Sequence, residues 1–196
     1  MDRLEQQIAF IMEIDQSKRV GRQTYLTGED GRKENDAEHS WHLAIMALLL
    51  SEYAKEEVDV LKVMSMVLIH DLIEIDAGDT YAYDLAGNET KKARELKAAD
   101  RIFQILPKDQ GDYLRSLWDE FEEASTPEAK FALALDKIQP VLLNDATNGR
   151  SWREHGIKAS QILARNAKTP EGSETLWAFA ENKIKENIKK GNIIDE

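Results

Sequence analysis

The ten residues Val60-Leu61-Lys62-Val63-Met64-Ser65-Met66-Val67-Leu68-Ile69 carry one charge between them, at Lys62. As a helix this run is apolar nearly all round, and such a helix is stable in water only when other elements cover it on every side. Asp59 stands where it can cap the first amides. The remaining sequence supplies helices as the cover: wherever apolar periodicity is visible it has the helical period rather than the alternation of a strand. Only four prolines interrupt the 196 residues. The expectation is an all-α fold, one domain over residues 1–196, with a core from about 36 to 142 and C-terminal helices from about 151 to 190.

Leu4, Ile8, Ile11 and Met12 share one face of a first helix that should end near Lys18. The stretch Arg19 to Asn35 contains Gly21, Gly28 and Gly31 and no apolar stripe, so it reads as a loop long enough to carry function. Asn35 with Glu38 has the spacing of a capping box and opens a second helix running through Tyr53. The third helix is the apolar run, which Asp76-Ala77-Gly78-Asp79 breaks, and a polar loop follows through Asn88. Further helices are expected over Thr90–Leu106 and Gln110–Glu123. Another starts at Thr126-Pro127-Glu128 and carries Phe131, Leu135, Ile138 and Leu142. Ser151 with Glu154 suggests one more capping box, Thr169-Pro170 one more start, and Lys189 to Glu196 a frayed tail.

Asp and Glu number 37 against 26 Lys and Arg, a formal charge of -11. Such a chain repels nucleic-acid backbones and anionic membranes unless a basic cluster overrides it, and none is visible. The longest apolar runs fall far short of the roughly 20 residues that span a bilayer. The start Met1-Asp2-Arg3-Leu4-Glu5 places acid where a signal peptide needs base. With no cysteine, disulfides and thiolate chemistry are excluded, and a metal must be held by His, Asp, Glu or carbonyl oxygen. The expectation is a cytoplasmic protein with neither nucleic acid nor membrane as partner.

The four histidines are His39, His42, His70 and His155. His70-Asp71 ends the most apolar helix, where an ionised carboxylate is costly unless paired or bound to a metal. Glu74 follows His70 by four residues, on the same helix face, and Asp79 lies just beyond. An exposed helix end with solvated carboxylates is the competing reading of this segment. Asp136 is flanked by Ala132, Leu133, Ala134, Leu135 and Ile138 and so must face a cation, a donor network or water. Metal ligation competes there with a salt bridge to Lys130 or Lys137, although the adjacent Lys137 should point elsewhere around the helix. Taken singly, His39 reads as a surface or cap residue, His42 as a surface residue or a neighbour of a site, and His155 as surface. Trp41, Trp118, Trp152 and Trp177 read as core or interface anchors.

Together, His39, His70-Asp71 and Asp136 stand in the order H…HD…D. With Arg22, Ala37-Glu38-His39-Ser40, Ile69-His70-Asp71 through Glu74, Gly78-Asp79, and Leu117-Trp118 through Asp136-Lys137, the chain resembles the HD-domain metal-dependent phosphohydrolase superfamily. Within that superfamily it is similar to the small single-domain branch containing 5′-deoxynucleotidases. The resemblance implies a helical bundle of the HD type in which His39, His70, Asp71 and Asp136 hold the metal. It also implies that Glu74 and Asp79 orient water and protonate the leaving group, and that Arg22 binds phosphate. An aromatic residue often follows that arginine in the branch, but here Gln23 does.

Two imidazoles and two carboxylates suit one divalent ion (Mn, Co, Fe, Ni, Zn or Mg), and an octahedral ion keeps two positions open for water and substrate. Dinuclear relatives use additional histidines. The expected function is a 5′-nucleotidase releasing phosphate from (deoxy)nucleoside 5′-monophosphates, with a small nucleotide as substrate and a homodimer as the assembly. Trp177 and Phe179 are candidates for the dimer surface. A phosphodiesterase or pyrophosphohydrolase on another small nucleotide is the alternative chemistry, and a non-catalytic metal-binding or scaffold protein the alternative class. A surface this acidic gives an anionic substrate no long-range attraction, so its capture must be local. Removing Arg22 is accordingly expected to weaken substrate binding more than it disturbs the fold.

Overall fold

The computed structural model describes residues 1–28, 31–81, 83 and 85–196, with no account of the side chains of 85–89. Helices dominate it in the order α1 (Arg3–Ile14), α2 (Asp36–Leu50), α3 (Val60–Ile69), α4 (Glu74–Ala77), α5 (Leu85–Phe103), α6 (Lys108–Glu123), α7 (Pro127–Ala146), α8 (Arg150–His155), α9 (Ala159–Arg165), α10 (Thr169–Gly172) and α11 (Glu174–Lys189). Short 3-10 turns follow α1 and α2. The fold is all-α apart from one small antiparallel hairpin, β1 (Gly21–Tyr25) and β2 (Lys33–Asn35), in which Gly21 pairs with Asn35 and Tyr25 with Lys33.

The hairpin occupies the stretch expected to be a loop. Arg22 and Thr24 of β1 are buried and Gln23 less so, an alternation of polar residues that a search for apolar stripes does not register. The tips of the two expected loops, at 29–30 and at 82 and 84, lie outside the described residues.

α3 and α7 form the centre. Val63, Met66 and Val67 are fully covered, as are Phe131 and Leu135, with Ile138 close behind. α7 packs against α2, α3, α10 and α11. Side-chain caps set the helix starts: Asp59 accepts from the amides of Leu61 and Lys62, Thr126 from that of Ala129, and Asn35 and Glu38 close their capping box at 3.0 and 3.1 Å.

Several expectations shift. The shared face of α1 points to solvent, with Leu4 65% and Met12 63% exposed, and the helix is anchored instead through Phe10. α3 stops at Ile69, residues 70–73 form a turn, and Glu74 begins the separate short α4. α5 starts earlier than Thr90, and α8 starts at Arg150 behind Gly149, so Ser151 lies inside it rather than capping it. The C-terminal tail is tied down, since Ile194 exchanges backbone hydrogen bonds with Ile157 and Ala159 at 3.0 and 2.8 Å while Ile193 is buried. Among the described residues no helix is long and apolar enough to cross a membrane.

Candidate metal centre and adjoining cavity

Three helices deliver the candidate ligands to one place. His39 sits in the first turn of α2, whose start the Asn35–Glu38 box defines; His70 directly follows α3; Asp136 is mid-way along α7. Asp136 Oδ1 lies 3.1 Å from His39 Nε2 and 3.7 Å from His70 Nε2, and Asp71 Oδ2 lies 3.2 Å from His70 Nε2 and 3.9 Å from His39 Nε2. All four expected ligands are therefore brought together. Donor atoms of His39, His70 and Asp136 fall within 4.8 Å of one another, and a second such group joins Asp71 to Asp36 and Glu74.

The other ring nitrogens determine which way the imidazoles face. His70 Nδ1 is 2.9 Å from the carbonyl of Val67, which can only accept, so Nδ1 carries the proton. His39 Nδ1 is 3.1 Å from Gln139 Oε1, and Gln139 Nε2 in turn donates to Glu34 Oε1 at 2.7 Å, which identifies Oε1 as the accepting end of the amide. Both Nε2 atoms are thus presented to the carboxylates, and that of His70 is buried with no hydrogen-bond partner. A buried, unsatisfied imidazole nitrogen aimed at two carboxylates fits a divalent cation better than any protein group present.

The charges are strongly coupled. Burial and the Arg22 charge lower His39 to about 4. For His70 burial acts downward too, but Asp71 and Asp136 outweigh it and raise the ring to about 10. Burial pushes Asp71 and Asp136 up, yet His70 and Arg22 hold the first, and Lys137 and the two histidines the second, well below the usual carboxylate range. Glu74 is pushed up to about 10 by burial and then by the charges of Asp71, Asp36 and Asp79, which outweigh the opposing charge of Arg22. Burial also raises Asp79.

Arg22 is placed differently from expectation. Instead of reaching over the site from a loop, it lies buried in β1, with Nη1 2.7 Å from Asp71 Oδ2 and 3.4 Å from Asp36 Oδ1, and Nε 3.6 Å from Glu34 Oε2. It borders the site cavity and compensates three carboxylates, so its loss must also weaken the fold. Lys137 departs from expectation as well: its long stem folds back so that Nζ sits 2.9 Å from Asp136 Oδ2. Asp136 thus turns one oxygen to the histidines and the other to an ammonium. His42 stands one layer out, its Nδ1 3.3 Å from Gln139 Nε2.

Four contributors were not singled out from the sequence: Glu34, Asp36, Gln139 and Arg165. Asp36 is 1% exposed, burial and Asp71 raise it to about 8, and Glu34 is raised to about 7 chiefly by burial. At a helix start Asp36 looks like an ordinary first-turn acid. Gln139 follows Asp136 by three residues, a spacing that offered the one usable signal. Arg165 comes from α9, in the C-terminal part that carried no motif, and forms no salt bridge among the described residues.

Gly78, at φ 73°, turns the chain between Glu74 and Asp79 in a conformation that side-chain-bearing residues rarely adopt, so that both acids face the same cavity. That cavity, about 170 Å³, is also walled by Lys91, Glu122 and Phe121. A second cavity of about 80 Å³ adjoins it, sharing Arg22, Asp79, Thr80, Lys137 and Arg165.

Comparison with known proteins identifies the family. The model of the HD domain family matches residues 14–177. The chain is 31% identical over 135 residues to the 5′-deoxynucleotidase HDDC2 of Homo sapiens, a match that covers 69% of this chain and 65% of that protein. Against the 5′-deoxynucleotidase hdd1 of Schizosaccharomyces pombe the identity is 29% over 114 residues, covering 56% of each chain. The chain thus spans less than two thirds of the length of these relatives. A crystal structure from Magnetospirillum magnetotacticum, described as a predicted metal-dependent phosphohydrolase, superposes with a TM-score of 0.93 at 45% identity, covering 98% of this chain and 96% of that one. A protein from Pyrococcus horikoshii shares the fold at 20% identity, with a TM-score of 0.60.

Proposed function

The chain belongs to the HD-domain family, and from that premise we propose that it is a metal-dependent 5′-nucleotidase releasing phosphate from (deoxy)nucleoside 5′-monophosphates. The observation that carries the reading is the convergence of the Nε2 atoms of His39 and His70 on Asp136 Oδ1, with Asp71 alongside. In this reading His39, His70, Asp71 and Asp136 hold one divalent ion. When bound, such an ion polarises a phosphoryl oxygen and lowers the pKa of water.

The remaining steps belong to the chain's own groups. Hydrolysis adds OH to phosphorus and returns a proton to the departing 5′-oxygen. Glu74, kept protonated by burial and by Asp71, is placed to donate that proton, while Asp79 across the Gly78 turn orients water and accepts a proton from it. Arg22, Lys137 and Arg165 line the site cavity and supply the local attraction that the acidic surface does not.

A panel of nucleoside 5′-monophosphates assayed with Co²⁺ or Mn²⁺ tests the reading. Phosphate release from several of them is expected. Release from none, with cleavage of diesters or pyrophosphates instead, would transfer the same centre to the alternative chemistry.

The chain is further proposed to be a single HD domain over residues 1–196, cytoplasmic, and a homodimer. Leu4, Ile8, Ile11 and Met12 of α1, together with Phe179 of α11, offer exposed apolar surface for pairing. A solution mass showing only monomer at micromolar concentration removes the dimer.

A further inference from the structure

The helices that deliver His39 and His70 leave an apolar face uncovered on their outer side. Between His39 and Leu50 of α2 the exposed residues are Trp41, Ile45, Leu48 and Leu49, and in the whole of α3 they are Leu61 and Leu68. Their exposure runs from 37% at Ile45 to 72% at Leu61. Each set recurs at helical spacing, so each forms a stripe along its helix. α2 and α3 pack on each other and both pack on α7, so the stripes opposite their buried residues face the same way, out of the molecule. Lys62, the one charged residue of α3, is drawn aside to Glu120 at 2.7 Å and leaves the face apolar.

α3 needs cover on every side by its composition, and its own chain leaves Leu61 and Leu68 in water. At these exposures the six side chains leave roughly 600 Å² of apolar surface, the top of the range for the largest patch on a monomer. With Leu50, Tyr53 and Met64 at its edges the face approaches the about 800 Å² that each partner of a stable dimer buries. The remaining exposed apolar residues do not form such a face. Those of α1 share their surface with Arg3 and Glu5, and Phe179 carries Lys183 over its ring at 5.7 Å.

Charge selects the occupant and its direction. A chain of net charge -11 repels its own copy, so pairing needs a contact free of acid, and this face has none. Glu52, Glu56, Glu57 and Asp59 crowd the end where α2 stops and α3 starts. At the other end Lys18, which holds Asp15, borders Trp41, with Arg19 next in the chain. Two copies aligned in parallel would set the acidic ends against each other. A two-fold axis perpendicular to α2 reverses one copy and brings the Lys18 end of each beside the Glu52 end of the other.

Resting on the homodimer reading, we infer that a second copy of this chain covers the α2–α3 face, with the two α2 helices antiparallel about a two-fold axis that passes between Ile45 and Leu48. Ile45 of each copy then meets the partner's Leu48. This narrows the pairing surface from several exposed apolar sites to one.

Solution mass, measured by sedimentation on the full chain, tests the surface. Wild type should be a dimer at micromolar concentration. Leu48→Glu sets two carboxylates close together across the axis and should raise the dimer dissociation constant at least about a hundredfold. Ile8→Glu, on α1, should leave it unchanged. Because the chain has no cysteine, Leu48→Cys gives a second reading even if the charged variant does not fold: oxidation with diamide should yield a disulfide-linked dimer, and Phe179→Cys should not. A wild type that stays monomeric removes the homodimer reading and this inference together. A dimer that survives Leu48→Glu, that Ile8→Glu dissociates, or that cross-links through Phe179→Cys and not Leu48→Cys leaves the homodimer reading standing and overturns only this inference.

Discussion

Gln139 Oε1 lies 3.1 Å from His39 Nδ1, with both side chains fully buried, and this contact points His39 Nε2 at Asp136. Gln139 is itself oriented by Glu34 at 2.7 Å, so a residue of β2 acts through α7 on a histidine of α2. Gln139→Leu frees the His39 ring and leaves Glu34 Oε1 without its donor. Metal affinity should fall about 10–100-fold, the range found for partners of metal-ligating imidazoles. Competition with a chelator measures it, and an unchanged dissociation constant argues that packing alone holds the ring.

Replacing a ligand outright should do more. His70→Ala and Asp136→Ala are each expected to abolish stoichiometric metal, read by elemental analysis of the purified protein, and with it phosphate release. A scaffold protein with an unused ligand set predicts no such loss of function, and retained phosphatase activity in metal-depleted His70→Ala contradicts the proposed site.

Arg22→Met tests the other side of the charge arrangement. It leaves Glu34, Asp36 and Asp71 without their buried cation. Removing one partner of a buried ion network should destabilise the fold by about 3–5 kcal/mol, besides any effect on phosphate. Thermal unfolding reads this, and a shift in Tm under about 2 °C indicates that the carboxylates simply take up protons instead.

Gly172 ends α10 where that helix crosses α7, and a Cβ built there stands 2.2 Å from the Lys130 carbonyl oxygen and 2.8 Å from Ala134 Cβ. Two backbones cannot yield as a flexible side chain does, so Gly172→Ala should cost about 1–3 kcal/mol as an overpacking change. Denaturant unfolding checks it: a midpoint equal to that of wild type means α10 is free to move away.

How much of this was legible in the chain differs from residue to residue. The apolar run through Ile69 required a central helix, and the Asp59, Asn35 and Thr126 caps located helix starts, because these signals act within one or two turns. Asp136 announced itself as an ionisable group in an apolar helix. The order His39, His70-Asp71, Asp136 picked out the four residues that the fold brings together and that are proposed to hold the metal. The anchored tail at Ile194 departed from expectation and the exposure of the shared α1 face was not legible, because burial depends on what lies opposite, and local periodicity does not contain that information.

The sequence by itself therefore determined the helical class and the donor set, both consequences of residue type and short spacing. Tertiary structure decided everything that depends on direction. It turned Arg22 inward onto Asp71, folded Lys137 back onto Asp136 and set Gln139 behind His39. Each of these pairs residues on different elements, or chooses among rotamers that are equally available to an isolated helix. Close packing removes that freedom, since a buried polar atom must find its partner.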